Sequence, residues 1–128
     1  MFQMIDEEKN NSPLDLSYLR DMSGDSAEFM IEMIDMFKVQ TPLYVADLEQ
    51  SFEAQDWEKM AGYAHKIKPT LSYVGREDAR GHLQLIENNA RDMKDLSDMP
   101  RALKELNEFI EILYRQLDEA KAELAKRL

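Results

Sequence analysis

The chain has 128 residues, no cysteine, and 26 acidic against 16 basic side chains, for a formal net charge of −10. That length suits one domain that buries roughly two-thirds of its unfolded surface. The absence of thiols excludes disulfides and thiolate metal sites, and the acidity argues against nucleic-acid binding, which demands a basic surface. No apolar run approaches the roughly 18–20 residues of a membrane span, so no membrane insertion is expected. The opening MFQMIDEEKNN is acidic where a secretory signal is basic, consistent with a cytoplasmic protein. Four Gly and four Pro supply few turns for a strand-rich fold, which leaves long helices as the expectation.

Residues 1–12 show no steady period and predict a flexible polar tail, with one helical domain over 13–128. Pro13 to Arg20 (PLDLSYLR) predicts a short lid helix whose Leu14, Leu16, Tyr18 and Leu19 cover the end of a larger core. Asp25 stands three before Glu28, the spacing of a capping box, with Gly24 allowing a sharp entry. From Ser26 the residues Met30, Ile34, Phe37, Tyr44, Leu48 and Phe52 recur at helical spacing. Pro42 interrupts them, and a proline inside a helix removes one hydrogen bond and crowds the preceding turn, so a kink or division is expected near Gln40–Thr41.

Asp56 is the next N-cap candidate. After it Trp57, Met60, Ala64, Ile67, Leu71 and Val74 are spaced 3, 4, 3, 4, 3, the stripe of a buried helix face, and Gly75 suits a left-handed stop. Ala79, Leu83, Ile86, Ala90 and Met93 continue the pattern in the following helix. The break LSDMP (Leu96–Pro100) offers Asp98 as a cap and Pro100 in a first turn. Leu103, Leu106, Ile110, Leu113, Leu117, Ala120 and Leu124 then alternate without interruption. A helix over Met99–Lys126 would run about 42 Å, long enough for its end to outreach the bundle and fray. The economical solution is an all-α antiparallel four-helix bundle with a short N-terminal covering helix; an extended coiled coil is the competing architecture.

His65 and His82 are the two histidines. An isolated helical histidine is ordinarily a surface or boundary residue, and His82 is read as a boundary residue. His65 differs in its setting, just off the Trp57–Val74 stripe, with Gly62 a turn before, Lys68 and Pro69 a turn after and Ser72 two turns after. If Gly75 marks a helix reversal, His65 lies 10 residues before it and Glu87 12 after it, at similar heights above the turn. A carboxylate accepting Nδ1–H from His65 would fix the ring tautomer and leave Nε2 outward as a nucleophile. Spacing alone favours an exposed Glu87 with no such role. The methionines, among them Met30, Met33, Met36 and Met60, read chiefly as packing residues, with an exposed subset near Pro42 available as a soft docking patch.

The segment AHKIKPTLSYVG (64–75) resembles the signature of histidine-containing phosphotransfer (HPt) domains: Ala-His, an apolar residue, lysine, and further on a glycine. The likeness extends through FMIEMIDMF (29–37), Pro42, Asp56–Trp57 and LIENNAR (85–91), about residues 13 to 115. It implies that His65 is the phosphoacceptor, Lys68 the charge-compensating lysine and Glu87 the residue that orients the imidazole. Gly62, Lys66, Pro69, Ser72 and Gly75 become candidate interface residues. The implied function is a phosphorelay carrier, accepting a phosphoryl group from a receiver-domain phospho-aspartate and passing it to another receiver. The partners are response-regulator receivers, including one borne by a hybrid histidine kinase, which bring the Mg²⁺. No intrinsic cofactor, metal or nucleotide motif is expected, hence no autonomous kinase or ATPase activity. One position departs from the family: Pro69 stands where Gly or Ser is usual, and it withholds an N–H from the carbonyl of His65. A noncatalytic helical adaptor that binds a signalling partner is the alternative reading.

Overall fold

A computed structural model describes residues 5–128. After a 3-10 turn at Glu7–Asn11 come α1 (Ser17–Ser23), α2 (Ala27–Glu53), α3 (Trp57–Tyr73), α4 (Glu77–Asp92) and α5 (Met99–Ala125), the last entered through a 3-10 turn at Leu96–Asp98. No strand occurs among the described residues. Helices α2 to α5 form the bundle; α3 packs on α2 and α4, α5 closes on α2 and α4, and α1 lies across α2 and α3. Cross-helix pairs show the antiparallel register. Asp35 meets Lys121, Lys38 meets Asp118 and Glu49 meets Asn107, so each advance along α2 is a retreat along α5.

The apolar stripes explain the packing. Met60, Ala64, Ile67 and Leu71 of α3 face Ala79, Leu83, Ile86 and Ala90 of α4 in one core with Leu106, Leu113 and Leu117 of α5. Small residues at Ala64, Ala79 and Ala90, all fully buried, favour close helix approach. Trp57 is half-buried at the rim, its ring 5.9 Å from that of Phe52, while Met93 is exposed in a left-handed cap and not part of the stripe.

Several local expectations change. Ser26, not Asp25, caps α2 by accepting from the Phe29 amide; Asp25 has a left-handed φ of 63° and cannot occupy the extended N-cap conformation. Asp56 caps α3 as expected, by accepting from the Lys59 amide. Asp98 holds the cap position of α5 without a side-chain cap bond, and Pro100 sits in the first turn. Pro42 does not divide α2, which runs through it. The carbonyl it deprives, that of Lys38, accepts the Tyr114 hydroxyl at 3.1 Å, so α5 supplies the donor the proline lacks. The end of α5 stays on the bundle, with Leu124 buried and Arg127 donating to the Asp25 carbonyl at 2.8 Å.

The α3–α4 turn is a Schellman stop: Arg76 N–H donates to the Leu71 carbonyl and Gly75 N–H to that of Ser72. Gly75 has φ 77°, and a Cβ there would lie 2.3 Å from the Asp15 carbonyl oxygen, so only glycine admits the N-terminal segment so closely. Arg76, almost fully buried, ties that segment down. It donates to Asp78, to Gln116 at 2.8 Å, to Asn10 Oδ1 at 2.8 Å and to the Asp6 carbonyl, and it stacks 4.7 Å over Phe109. Gln116 donates in turn to the carbonyls of Lys9 and Ser12. The described part of the expected polar tail is therefore tethered; residues 1–4 of it lie outside the described residues.

Candidate functional site

The middle of α3 and the middle of α4 build the site. His65 sits one position beyond the buried Ala64, so its backbone is held by the core while its side chain is 64 % exposed. Across the groove Glu87 follows the buried Ile86, and its side chain is only 3 % exposed. His65 Nδ1 stands 3.2 Å from Glu87 Oε2 and 3.4 Å from Oε1. An ionised carboxylate only accepts, so this contact favours a proton on Nδ1 and leaves Nε2 with its lone pair on the other edge of the ring. Three residues farther along α3, Lys68 Nζ donates to Glu87 Oε1 at 3.0 Å and to Gln84 Oε1 at 2.7 Å. That step forward in α3 is a step back in α4, as an antiparallel pair requires.

Arg91, one turn after Glu87, brings Nη1 to 3.0 Å from Glu87 Oε2. Burial by itself would raise the Glu87 carboxyl; the hydrogen bond and charge of Lys68, followed by His65, outweigh it and hold the group below the usual carboxylate range. Glu87 is thus an ionised, shared anchor. Gln84 and Arg91 complete the site without having been singled out in the sequence. Their signal was present in α4, where 84, 87 and 91 share one helix face at spacings of 3 and 4.

The other candidate residues fall in different places. Gly62 is exposed on the same face as His65, and a Cβ there would meet nothing within 4 Å. Lys66 is exposed toward α2, its ammonium 5.3 Å from the Tyr63 ring centre and 6.0 Å from that of Tyr44. Pro69 lies half-buried inside α3, one turn beyond His65. The Ser72 hydroxyl is buried without a partner. Gly75 is at the helix turn against Asp15, away from the ring. His82 is not a boundary residue: it is fully buried between α4 and α5, with Nε2 2.9 Å from the Ala102 carbonyl oxygen.

Beside α3, α2 leaves an apolar strip open. Phe29, Met36, Val39 and Leu43 are exposed and Met33 half-buried, while Met30 and Met60 are in the core. Tyr73 stacks on Tyr18 of α1 at 5.0 Å, extending this surface across the lid. No group of three or more His, Cys, Asp or Glu able to hold a metal occurs among the described residues, and no helix there is long and apolar enough to cross a membrane.

Comparison with known proteins adds three findings. The family model described as Hpt domain matches residues 32–120, which contain the whole His65–Glu87 arrangement. The phosphorelay intermediate protein rdeA of Dictyostelium discoideum is 30 % identical over 116 residues, 86 % of this chain and 46 % of that protein, so the chain spans about half the length of this relative. No solved structure matches.

Proposed function

This chain belongs to the Hpt domain family, and from that premise we propose that it carries phosphate in a phosphorelay on His65. The reaction is reversible transfer. The Nε2 lone pair attacks the phosphorus of a receiver phospho-aspartate, the bond from phosphorus to the aspartyl oxygen breaks, and the carboxylate departs with the electron pair. The imidazole, now bearing the phosphoryl group on Nε2, keeps its proton on Nδ1 against Glu87, which stabilises the positive charge that develops on the ring. Attack by a second receiver's aspartate reverses the step and returns His65 neutral.

The observation that carries this reading is an exposed imidazole whose Nδ1 faces a buried, ionised carboxylate. Lys68 and Arg91 place positive charge around that carboxylate. We assign Lys68 the offset of charge on the phosphoryl oxygens; its ammonium, which donates to Glu87 and Gln84, also steadies Glu87. The partners are response-regulator receiver domains, including that of a hybrid histidine kinase, and the receiver brings the Mg²⁺ that polarises its own acyl phosphate. Such partners place the reaction in the cytoplasm. Gly62 and the α2 strip of Met36, Val39 and Leu43 suit a docking protein, since one leaves room beside the ring and the other offers apolar area.

The test is incubation with a phosphorylated receiver in Mg²⁺. Acid-labile, base-stable label should appear on the wild-type chain and vanish in His65→Gln, with helical content unchanged. Equal labelling of the two proteins would sink the assignment. Receiver binding without any label on either would favour a noncatalytic adaptor.

A further inference from the structure

Two prolines stand inside long helices, and the molecule treats their consequences differently. Pro42 leaves the Lys38 carbonyl without its helical donor, and Tyr114 fills the vacancy. Pro69 leaves the carbonyl of His65 in the same position. The side-chain donors of the following turns are committed or withdrawn: Lys68 to Glu87 and Gln84, Thr70 to the Ile67 carbonyl at 2.5 Å, and Ser72 buried without a partner. Helix carbonyls point toward the C-terminus, and the proline ring crowds the carbonyl four residues earlier, turning it outward. The turn from His65 to Pro69 borders the open face, since the His65 side chain is exposed and Pro69 half-buried.

We propose that the main-chain carbonyl of His65, released by Pro69, is a hydrogen-bond acceptor for the docking receiver domain. One residue then supplies both the phosphoacceptor and a docking contact a few ångströms from it. The inference rests on the phosphotransfer reading. The partner's chemistry fits: a site that cradles an aspartyl phosphate must present N–H and cationic donors, and an acceptor beside the incoming nucleophile engages such donors. Pro69 becomes a specificity-determining residue. A receiver with a donor at that point gains a bond, and one with a carbonyl or carboxylate there is repelled.

The experiment compares three full-length proteins with one phosphorylated receiver over a range of receiver concentrations. Pro69→Ala restores the helical N–H, which then competes for the carbonyl. Pro69→lactate, introduced as an ester by nonsense suppression, removes the ring but supplies no donor. Direct labelling by phosphoramidate monitors the reactivity of His65 without docking. The half-saturating receiver concentration should rise about 3- to 10-fold for Pro69→Ala. It should stay within about twofold of wild type for Pro69→lactate, and maximal rate and phosphoramidate labelling should be unchanged in both. Wild-type behaviour of Pro69→Ala overturns the proposal. So does an equal weakening of both variants, which would assign the effect to the ring. Absence of label on the wild-type chain from either donor would instead refute the phosphotransfer reading.

Discussion

Glu87 is a buried carboxylate in contact with an exposed imidazole. Its two oxygens meet Lys68, Arg91 and the His65 ring at 3.0 to 3.2 Å, so the carboxylate stays ionised although burial disfavours its charge. Replacing it by Ala removes the acceptor that holds Nδ1–H. Phosphotransfer at receiver saturation should slow on the order of 10- to 100-fold, with receiver affinity little changed. Nitrogen NMR of the ring should show the Nδ1–H tautomer losing population, and an unchanged rate with an unchanged tautomer would remove the orienting role. Lys68→Ala should also slow the chemical step. A loss of rate with the tautomer preserved would locate its action on the phosphoryl group; a loss of both would locate it on Glu87. Glu87 and Lys68 were singled out by family resemblance, whereas spacing alone left an exposed Glu87 open. The inward turn of the Lys68 ammonium was not legible, because spacing places a Cβ on a face and does not choose among the rotamers of a four-carbon stem.

At the scale of the helices, the two prolines show that an element's fate depends on what packs against it. In isolation Pro42 argues for two helices, yet α2 is continuous across 27 residues. Tyr114 is the donor that offsets its cost, and burial raises its phenol above the ordinary value, keeping the hydroxyl protonated. Tyr114→Phe should lower stability by about 1 kcal/mol, measured as a shift of the urea midpoint with the slope unchanged. A midpoint equal to that of wild type would show that solvent serves the Lys38 carbonyl as well. Helix positions themselves followed from period and punctuation, with Asp56, Gly75 and Pro100 marking boundaries within a residue or two. The start of α2 was displaced by one residue because Gly24 and Asp25 both take left-handed conformations, which hands the cap to Ser26.

For the whole molecule, the α3–α4 turn is organised by Arg76. It joins Asp78, Gln116 and the segment around Asp6–Asn10, so the N-terminal segment, the α3–α4 turn and α5 are bonded through one guanidinium. Burial alone would raise the Asp78 carboxyl, but the bonds and charge of Arg76 and the Asp6 amide outweigh it and hold the group below its usual range. Asp78 and Glu87 are both depressed on folding, so the unfolded chain binds their protons more readily. Their stabilisation is complete above the ordinary carboxylate range and is lost as pH falls through the depressed values. Thermal unfolding followed from pH 7 to pH 3 should therefore show a falling midpoint below about pH 4. Asp78→Asn should melt lower at pH 7 and lose less on acidification; a parallel decline in variant and wild type would show that Asp78 does not contribute to the slope.

The amino-acid order by itself determined that the chain is helical, roughly where each long helix starts and stops, and that His65 stands beside a buried stripe. These are local matters, written in a period of 3.6 and in capping and breaking residues a few positions apart. Tertiary structure decided what local pattern cannot encode. It chose which carboxylate meets the ring, which hydroxyl serves a carbonyl on another helix, and why Arg76 and His82, polar side chains with no distinguishing local signal, lie in the interior. Each of these pairings joins groups on residues 20 or more positions apart in the chain or depends on such a neighbour. Their geometry exists only once the helices have packed in register, since a buried polar group is tolerated only where distant partners arrive to satisfy it.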